Sequence, residues 1–282
     1  MRCGTAARQH SSPITKFGQV LASRVPTKRV RLDHLLVERG LAPSRARAQS
    51  LILAGLVRVE GTLVDKAGKA VPANASLEVV AAEHPWVSRG GVKLAAALDA
   101  FGVSPAGKRC LDVGASTGGF THVLLKRGAV QVIALDVGHG QFDWRLRQDP
   151  RVMVKEGINA RYLAREDFSV RFDLITVDVS FISLRLVLPA LVPLLAERSD
   201  MVVLVKPQFE AGRTQVAKGG VIRDPAVREK AIERVLATAR ELGLDCLGRV
   251  PSPLPGPAGN VEELAHLRLA GCRDDPERSL NP

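Results

Sequence analysis

The sequence predicts an α/β chain: a doubly wound, Rossmann-like sheet preceded by a small basic α+β module. Three observations carry this. Residues 109–120, RCLDVGASTGGF, read as a buried strand, a glycine-rich turn and a helix. From there to about residue 269, short apolar runs alternate with longer amphipathic stretches. The charge is uneven: residues 1–82 hold 13 of the 40 Lys/Arg but only 5 of the 29 Asp/Glu, so most of the formal +11 lies in the first third. A basic module favours a polyanionic partner, most often nucleic acid.

Residues 1–28 contain Arg2, Arg8, Lys16, Arg24 and Lys28 and no acid. They are expected to be a disordered basic extension, with a composition that also suits an organelle transit peptide. Residues 29–81 form the small module. Leu32, Leu35, Leu36 and Val37 share one face of a helix that stops at Gly40. Ser44 can cap a second helix with Ala48, Leu51, Ile52 and Leu53 on its apolar face, ended by Gly55. Leu56–Val59, Leu63-Val64 and Leu77–Val80 then read as short strands. This run, RLDHLLVERGLAPSRARAQSLILAGLVRVEG, resembles the S4 RNA-binding domain. The resemblance implies that Arg31, Arg45 and Arg47 face RNA phosphates, which supply affinity and salt dependence rather than sequence choice.

Residues 82–91 carry a proline and two glycines and read as a linker, with Trp86 docking on the larger domain. That domain is expected over 92–270. It opens with a helix from Val92 to Phe101, followed by the strand at 110–113. Ser116 and Thr117 can cap the next helix, starting near Gly118. Val130–Leu135 is a second strand ending in Asp136, 22 positions after Gly114 and close to the ~20 expected of an acid that binds ribose hydroxyls. A short helix follows over Gln141–Asp149, then strands at Val152–Val154 and Asp173–Asp178, an apolar helix from Leu184 to Leu195 and a strand at Met201–Lys206. Asp224–Leu242 is a long helix, and Leu244–Val250 and Val261–Leu269 are a closing antiparallel pair. Residues 271–282 are expected to be a disordered tail.

Composition narrows the function. Aromatics at 4% argue against binding bases mainly by stacking. Cys3, Cys110, Cys246 and Cys272 are widely spaced, with no C-x-x-C or His/Cys cluster, so neither a metal site nor a disulfide framework is expected. No run of about 18 apolar residues suggests a membrane span. A cytoplasmic protein is the expectation.

The glycine turn departs from G-x-G-x-x-G, since Ser116 stands at the second glycine. That glycine admits a pyrophosphate, which S-adenosylmethionine (AdoMet) lacks. Asp112, two residues before Gly114, occupies the position of the first acid in AdoMet-dependent methyltransferases, and the region resembles these more than dehydrogenases. Charged groups also end apolar runs at Asp136, Asp178 and Lys206, where burial is costly unless they face a cleft.

SRGGVKL, LDVGASTGGF, LDVG, DVSFISL, VKPQFE and SPLPGPAGNVE occur in that order. Together they resemble hemolysin-A-like ribosomal RNA methyltransferases, in which an S4 domain precedes an FtsJ-type domain with a class I AdoMet-dependent fold. The likeness runs from about Arg31 to Arg268. It implies a catalytic tetrad of Lys93, Asp178, Lys206 and Glu262, with Glu263 offering a second carboxylate beside the last. It implies AdoMet along Gly114, Ala115, Ser116, Thr117, Gly118, Gly119 and Phe120, Asp136 at its ribose and Asn159 near its adenine. The implied reaction is 2′-O-methylation of cytidine in ribosomal RNA, on one or both ribosomal subunits, with no metal. Which lysine takes the proton is open. The competing readings are a secreted or membrane-active hemolysin, a non-catalytic ribosome-assembly factor and a nucleotide-dependent oxidoreductase.

Overall fold

The computed structural model describes residues 28–80, 84–217, 219–256 and 258–271. Apart from Lys28 and Gly271, the expected basic extension and tail lie outside the described residues.

The small module contains β1 (Arg29–Arg31), α1 (Leu32–Glu38), α2 (Arg45–Leu53), β2 (Val57–Val59), β3 (Thr62–Leu63), β4 (Ala70–Pro72) and β5 (Leu77–Val79). Ser44 caps α2 as expected, its Oγ accepting from the Arg47 amide at 3.2 Å. Leu32, Leu36, Ile52 and Val57 are fully buried between the helices and the β3-β2-β5 sheet. The β1–β4 pair was not anticipated. Its three-residue strands pair across 41 positions, Val30 opposite Val71, and are too short to show a period of two. Asp33 on α1 is completely buried and accepts from Arg31 (2.9 Å), Arg45 (3.0 Å) and Gln49 (2.9 Å). Burial alone would raise its carboxyl pKa, but the three donors together hold it well below the usual range.

In the larger domain, α3 spans Arg89–Phe101, three residues earlier than expected. Gly90 and Gly91, read as linker, are in its first turn. A Cβ on Gly91 would lie 2.5 Å from Trp86, so the bare backbone lets Trp86 pack across the helix. Trp86 docks on this domain, edge-on to His122 at 5.4 Å between ring centroids. Then follow β6 (Arg109–Val113), α4 (Gly119–Lys126), β7 (Gln131–Asp136), α5 (Trp144–Arg147), β8 (Val152–Glu156), β9 (Phe172–Val177) and α6 (Leu184–Leu191). The chain closes with β10 (Leu195–Val205), α7 (Pro207–Glu210), α8 (Pro225–Glu241), β11 (Leu244–Pro251) and β12 (Glu263–Leu269). Leu195, expected to end a helix, instead begins β10, and α5 is shorter than its charged sequence suggests.

The sheet order is β11-β12-β10-β9-β6-β7-β8. Strands β6 to β10 are parallel, and β12 runs antiparallel to β10 and β11. Asp200 helps fix the β10–β12 register: His266 and Arg268 reach it at 2.9 and 2.8 Å, and Lys108 joins them at 2.8 Å. Apolar clusters cover both faces of the sheet, one under α3 and α4 and the other under α6 and α8. The chain moves outward from β6 to β8, then returns to place β9 on the other side of β6. Ligands bind beyond the strand ends at such a switch point. The small module adjoins this edge: Ser50 Oγ donates to the Gln141 carbonyl at 3.1 Å. No helix among the described residues is long and apolar enough to cross a membrane.

Candidate active site

The glycine turn occupies the switch point. Gly114 has φ +85°, and a Cβ there would sit 2.5 Å from the Asp178 carbonyl oxygen. The Asp178 amide donates to the Val113 carbonyl at 2.8 Å, so β9 and β6 stay paired to the lip of the cleft. Gly114 and Ala115 donate to Leu135, which ties the turn to β7. Neither Ser116 nor Thr117 caps α4. Gly118 holds the cap position at φ +90°, and Ser116 adopts φ +47° with its amide on Asp136 Oδ2 at 2.8 Å. A capping side chain would require Ser116 or Thr117 next to the first helical residue; the left-handed glycine displaces both.

Two cavities meet here. One, about 780 Å³, is lined by Gly114, Ser116, Asp136, Ile158, Asn159 and Leu186 among others. Asp136 is fixed at its edge by the Ser116 amide and by the Gly138 amide, 2.7 Å from Oδ1. Asn159 lines the same space, while its Oδ1 accepts from the Arg161 amide at 3.0 Å. The second cavity, about 460 Å³, takes in Gly114–Thr117, Gly119, Phe120 and all four expected catalytic residues. Gly114, Ser116, Asp178, Ser180 and Phe181 border both. Gly118 borders neither; it packs against Phe142 and Leu146. Leu53 of the small module lines both cavities, and Lys66 lines the smaller.

The four charged groups form two pairs. Lys93, on α3, lies 2.5 Å from Glu262 Oε2, and both are buried. Lys206, immediately after β10, lies 2.6 Å from Asp178 Oδ1 and donates to Ser180 Oγ at 2.8 Å. The Asp178 contact is a close ion pair rather than a directed hydrogen bond, since Oδ1 has no donor in hydrogen-bond geometry. Of the two adjacent glutamates, Glu262 faces the cavity, while Glu263 begins β12 and pairs with Arg249. Among the described residues no His/Cys/Asp/Glu cluster could hold a metal ion.

Ser180, Phe181, Gln208 and Asn260 are among the cavity residues not singled out from the sequence. Gln208 Nε2 donates to Glu262 Oε1 at 3.3 Å. Phe181 is 85% exposed at the cavity mouth, with φ +63° and Phe209 at 5.2 Å. DVSFISL and VKPQFE contain three of them, but nothing in the spacing marks an exposed aromatic or a second amide. Asp112 turns away from the cavities. It is completely buried, with Thr121 and Thr176 donating at 2.7 and 3.2 Å. Burial pushes its carboxyl up to about 7 despite those bonds.

Of the three RNA-facing arginines expected, Arg31 and Arg45 are half-exposed and tethered to Asp33, and Arg47 borders a smaller cleft between the module and the large domain.

Known proteins match both parts. The FtsJ-like methyltransferase family matches residues 86–269, and the S4 domain matches residues 30–77. The chain is 53% identical over 242 residues to the 16S/23S rRNA (cytidine-2′-O)-methyltransferase TlyA of Mycobacterium tuberculosis, covering 86% of this chain and 90% of that protein. It is 43% identical to hemolysin A of Brachyspira hyodysenteriae, covering 84% of this chain and 99% of that one. A solved structure described as a candidate hemolysin from Streptococcus thermophilus superposes with a TM-score of 0.68 at 42% identity, over 88% of this chain and 92% of that one. With a switch-point glycine turn, paired lysines and carboxylates and these matches in agreement, the chain belongs to the FtsJ-like methyltransferase family, and an S4 domain precedes its methyltransferase domain.

Proposed function

We propose that the protein transfers a methyl group from AdoMet to the ribose 2′-hydroxyl of cytidine in 16S or 23S ribosomal RNA, or both. The observation that carries this reading is the pair of lysine–carboxylate contacts, Lys93–Glu262 and Lys206–Asp178, in the smaller cavity, which shares Gly114, Ser116 and Asp178 with the larger. The activity named for the M. tuberculosis relative supports the substrate class. Acting on ribosomes, the protein would work in the cytoplasm.

The larger cavity fits AdoMet. Gly114 leaves a cradle that a Cβ would fill, Asp136 is oriented for ribose hydroxyls, and Asn159 and Ile158 line the wall suited to the adenine. AdoMet supplies a methyl carbon made electrophilic by its sulfonium charge. The residues must then align the hydroxyl oxygen with that carbon and accept its proton. Lys206, once it has given up its own proton and is a neutral amine, would accept the hydroxyl proton, beside Asp178 and Ser180, which border both cavities. Lys93 and Glu262, which line the same cavity, would position the ribose. Phe181 offers an open aromatic face for the displaced base. Arg31, Arg45 and Arg47 would bring phosphates to the S4 surface.

The test is single-turnover transfer of labelled methyl to ribosomal RNA, with the labelled nucleotide mapped. Label is expected on cytidine ribose. Lys206→Ala should slow transfer by about 10²-fold or more with AdoMet affinity kept. Lys206→Arg should also fail, because guanidinium retains its proton. Label on a base or on protein would overturn the reading, and activity in the arginine variant would move the proton acceptor to Lys93.

A further inference from the structure

One wall of the catalytic cavity is built from two segments distant in sequence, around residues 220–222 and 255–262, and Asn260 joins them. Asn260 is 2% exposed. Its Nδ2 donates to the Gly220 carbonyl at 2.7 Å, and its Oδ1 accepts from the Ile222 amide at 2.9 Å. Both ends of the amide are used, and reversing it would set donor against donor and acceptor against acceptor. Its own carbonyl accepts from the Gly256 amide at 2.8 Å, closing a turn two residues before Glu262.

That turn bears directly on the Glu262 carboxylate. Gly256 lies against Glu262 Oε1, where a Cβ would collide. Glu262's carbonyl accepts from the Ser252 amide at 2.9 Å, so backbone and side chain are both located by this segment. The Lys93–Glu262 contact spans 169 positions and depends on where the turn stands. Without Asn260, the Gly220 carbonyl and Ile222 amide would lose the bonds that join the two halves of the wall.

We propose that Asn260 is a positioning residue for methyl transfer: by tying Gly220 and Ile222 to the 256–260 turn, it sets where Glu262 meets Lys93 and hence where the target ribose is held. This rests on the reaction proposed above. Misplacement by about 1 Å costs up to about 10²-fold in rate. The Asp136 groove lies beyond the glycine turn and shares none of these bonds, so AdoMet binding should be spared.

The experiment uses the full chain with Asn260→Ala and Asn260→Asp. It measures AdoMet affinity by calorimetry and single-turnover methyl transfer at saturating ribosomal RNA, below each variant's melting temperature. Asn260→Ala should bind AdoMet within about twofold of wild type, as expected of separate sites, and transfer methyl about tenfold or more slowly. Asn260→Asp should give a pH signature. Ionised, it cannot donate to Gly220; protonated, it can, so its rate relative to wild type should rise as pH falls towards the carboxyl range. Should Asn260→Ala not fold, Gly256→Ala asks the same question by pressing a methyl group on Glu262. Wild-type rates in the folded variants, or AdoMet affinity lost in proportion to rate, would overturn the role. Wild-type transfer tests the reaction itself, while the ratio of variant to wild type tests Asn260 whichever nucleotide carries the label.

Discussion

Removing either member of the Lys93–Glu262 pair should destabilise the protein more than removing both. The side chains are 9% and 0% exposed and 2.5 Å apart. At an effective dielectric near 20 the gross attraction is about 7 kcal/mol. The cost of taking both ions out of water cancels much of it, so replacing both with neutral groups is close to neutral for stability. Removing one strands a buried charge, at about 3–5 kcal/mol. In a protein of this size each kcal/mol moves Tm by about 2–4 °C, so Lys93→Met or Glu262→Gln should melt roughly 6–20 °C early. Glutamine still offers Gln208 an acceptor. The double variant should recover most of the Tm yet transfer methyl no faster than either single one, because groups that act as a unit lose their effect together. Thermal unfolding by circular dichroism and single-turnover transfer on all four proteins decide it. Single variants that melt with wild type, or a double variant whose losses simply add, would refute the coupling.

Other expectations follow from the same geometry. Asp136→Ala should weaken AdoMet binding about 10- to 100-fold, from about 1.5–3 kcal/mol for a hydrogen bond to a charged group; equal affinity by calorimetry would remove Asp136 from the site. Asp112 keeps its proton in the fold up to about pH 7 but loses it near pH 4 when unfolded. Its favourable contribution is therefore present at low pH and lost as pH rises through that window, by at most about 4 kcal/mol. Asp112→Asn should remove this slope from denaturant midpoints measured across the window; an unchanged slope would place the titration elsewhere. Arg45→Ala with Arg47→Ala should lower the salt slope of RNA binding by about 1 per lost phosphate contact. Asp33 would keep Arg31 and Gln49, so the module should still fold, and an unaltered slope would mean that RNA passes elsewhere.

The site was more legible than its supports. Asp178 and Lys206 stood out because each ends an apolar run at a strand terminus, and the strand–glycine–helix pattern located Gly114 directly. Resemblance alone supplied Lys93 and Glu262, since α3 and the segment before β12 carry no pattern that says they meet. Ser44 was readable as a cap because its partner is three residues away, whereas Ser116 was misread because the left-handed Gly118 replaces a side-chain cap with backbone geometry. The β1–β4 pairing, the Trp86–Gly91 packing and the Asn260 bonds join residues without shared periodicity. Such contacts depend on the folded arrangement and leave little local signal.

The reversed direction of β12 has a consequence for synthesis. Five parallel strands direct their carboxyl ends to the cleft, whereas β12 must present its beginning there, which is why Glu262 precedes that strand. Lys93 is translated first of the four charged groups and Glu262 last. An unfinished chain can therefore contain the glycine turn, both lysines and Asp178 and still lack the carboxylate that pairs with Lys93. A polypeptide whose target is ribosomal RNA begins life attached to a ribosome. Its strand order leaves the set of four charged groups incomplete until translation has passed residue 262, so a shorter fragment still on the ribosome would lack part of the set.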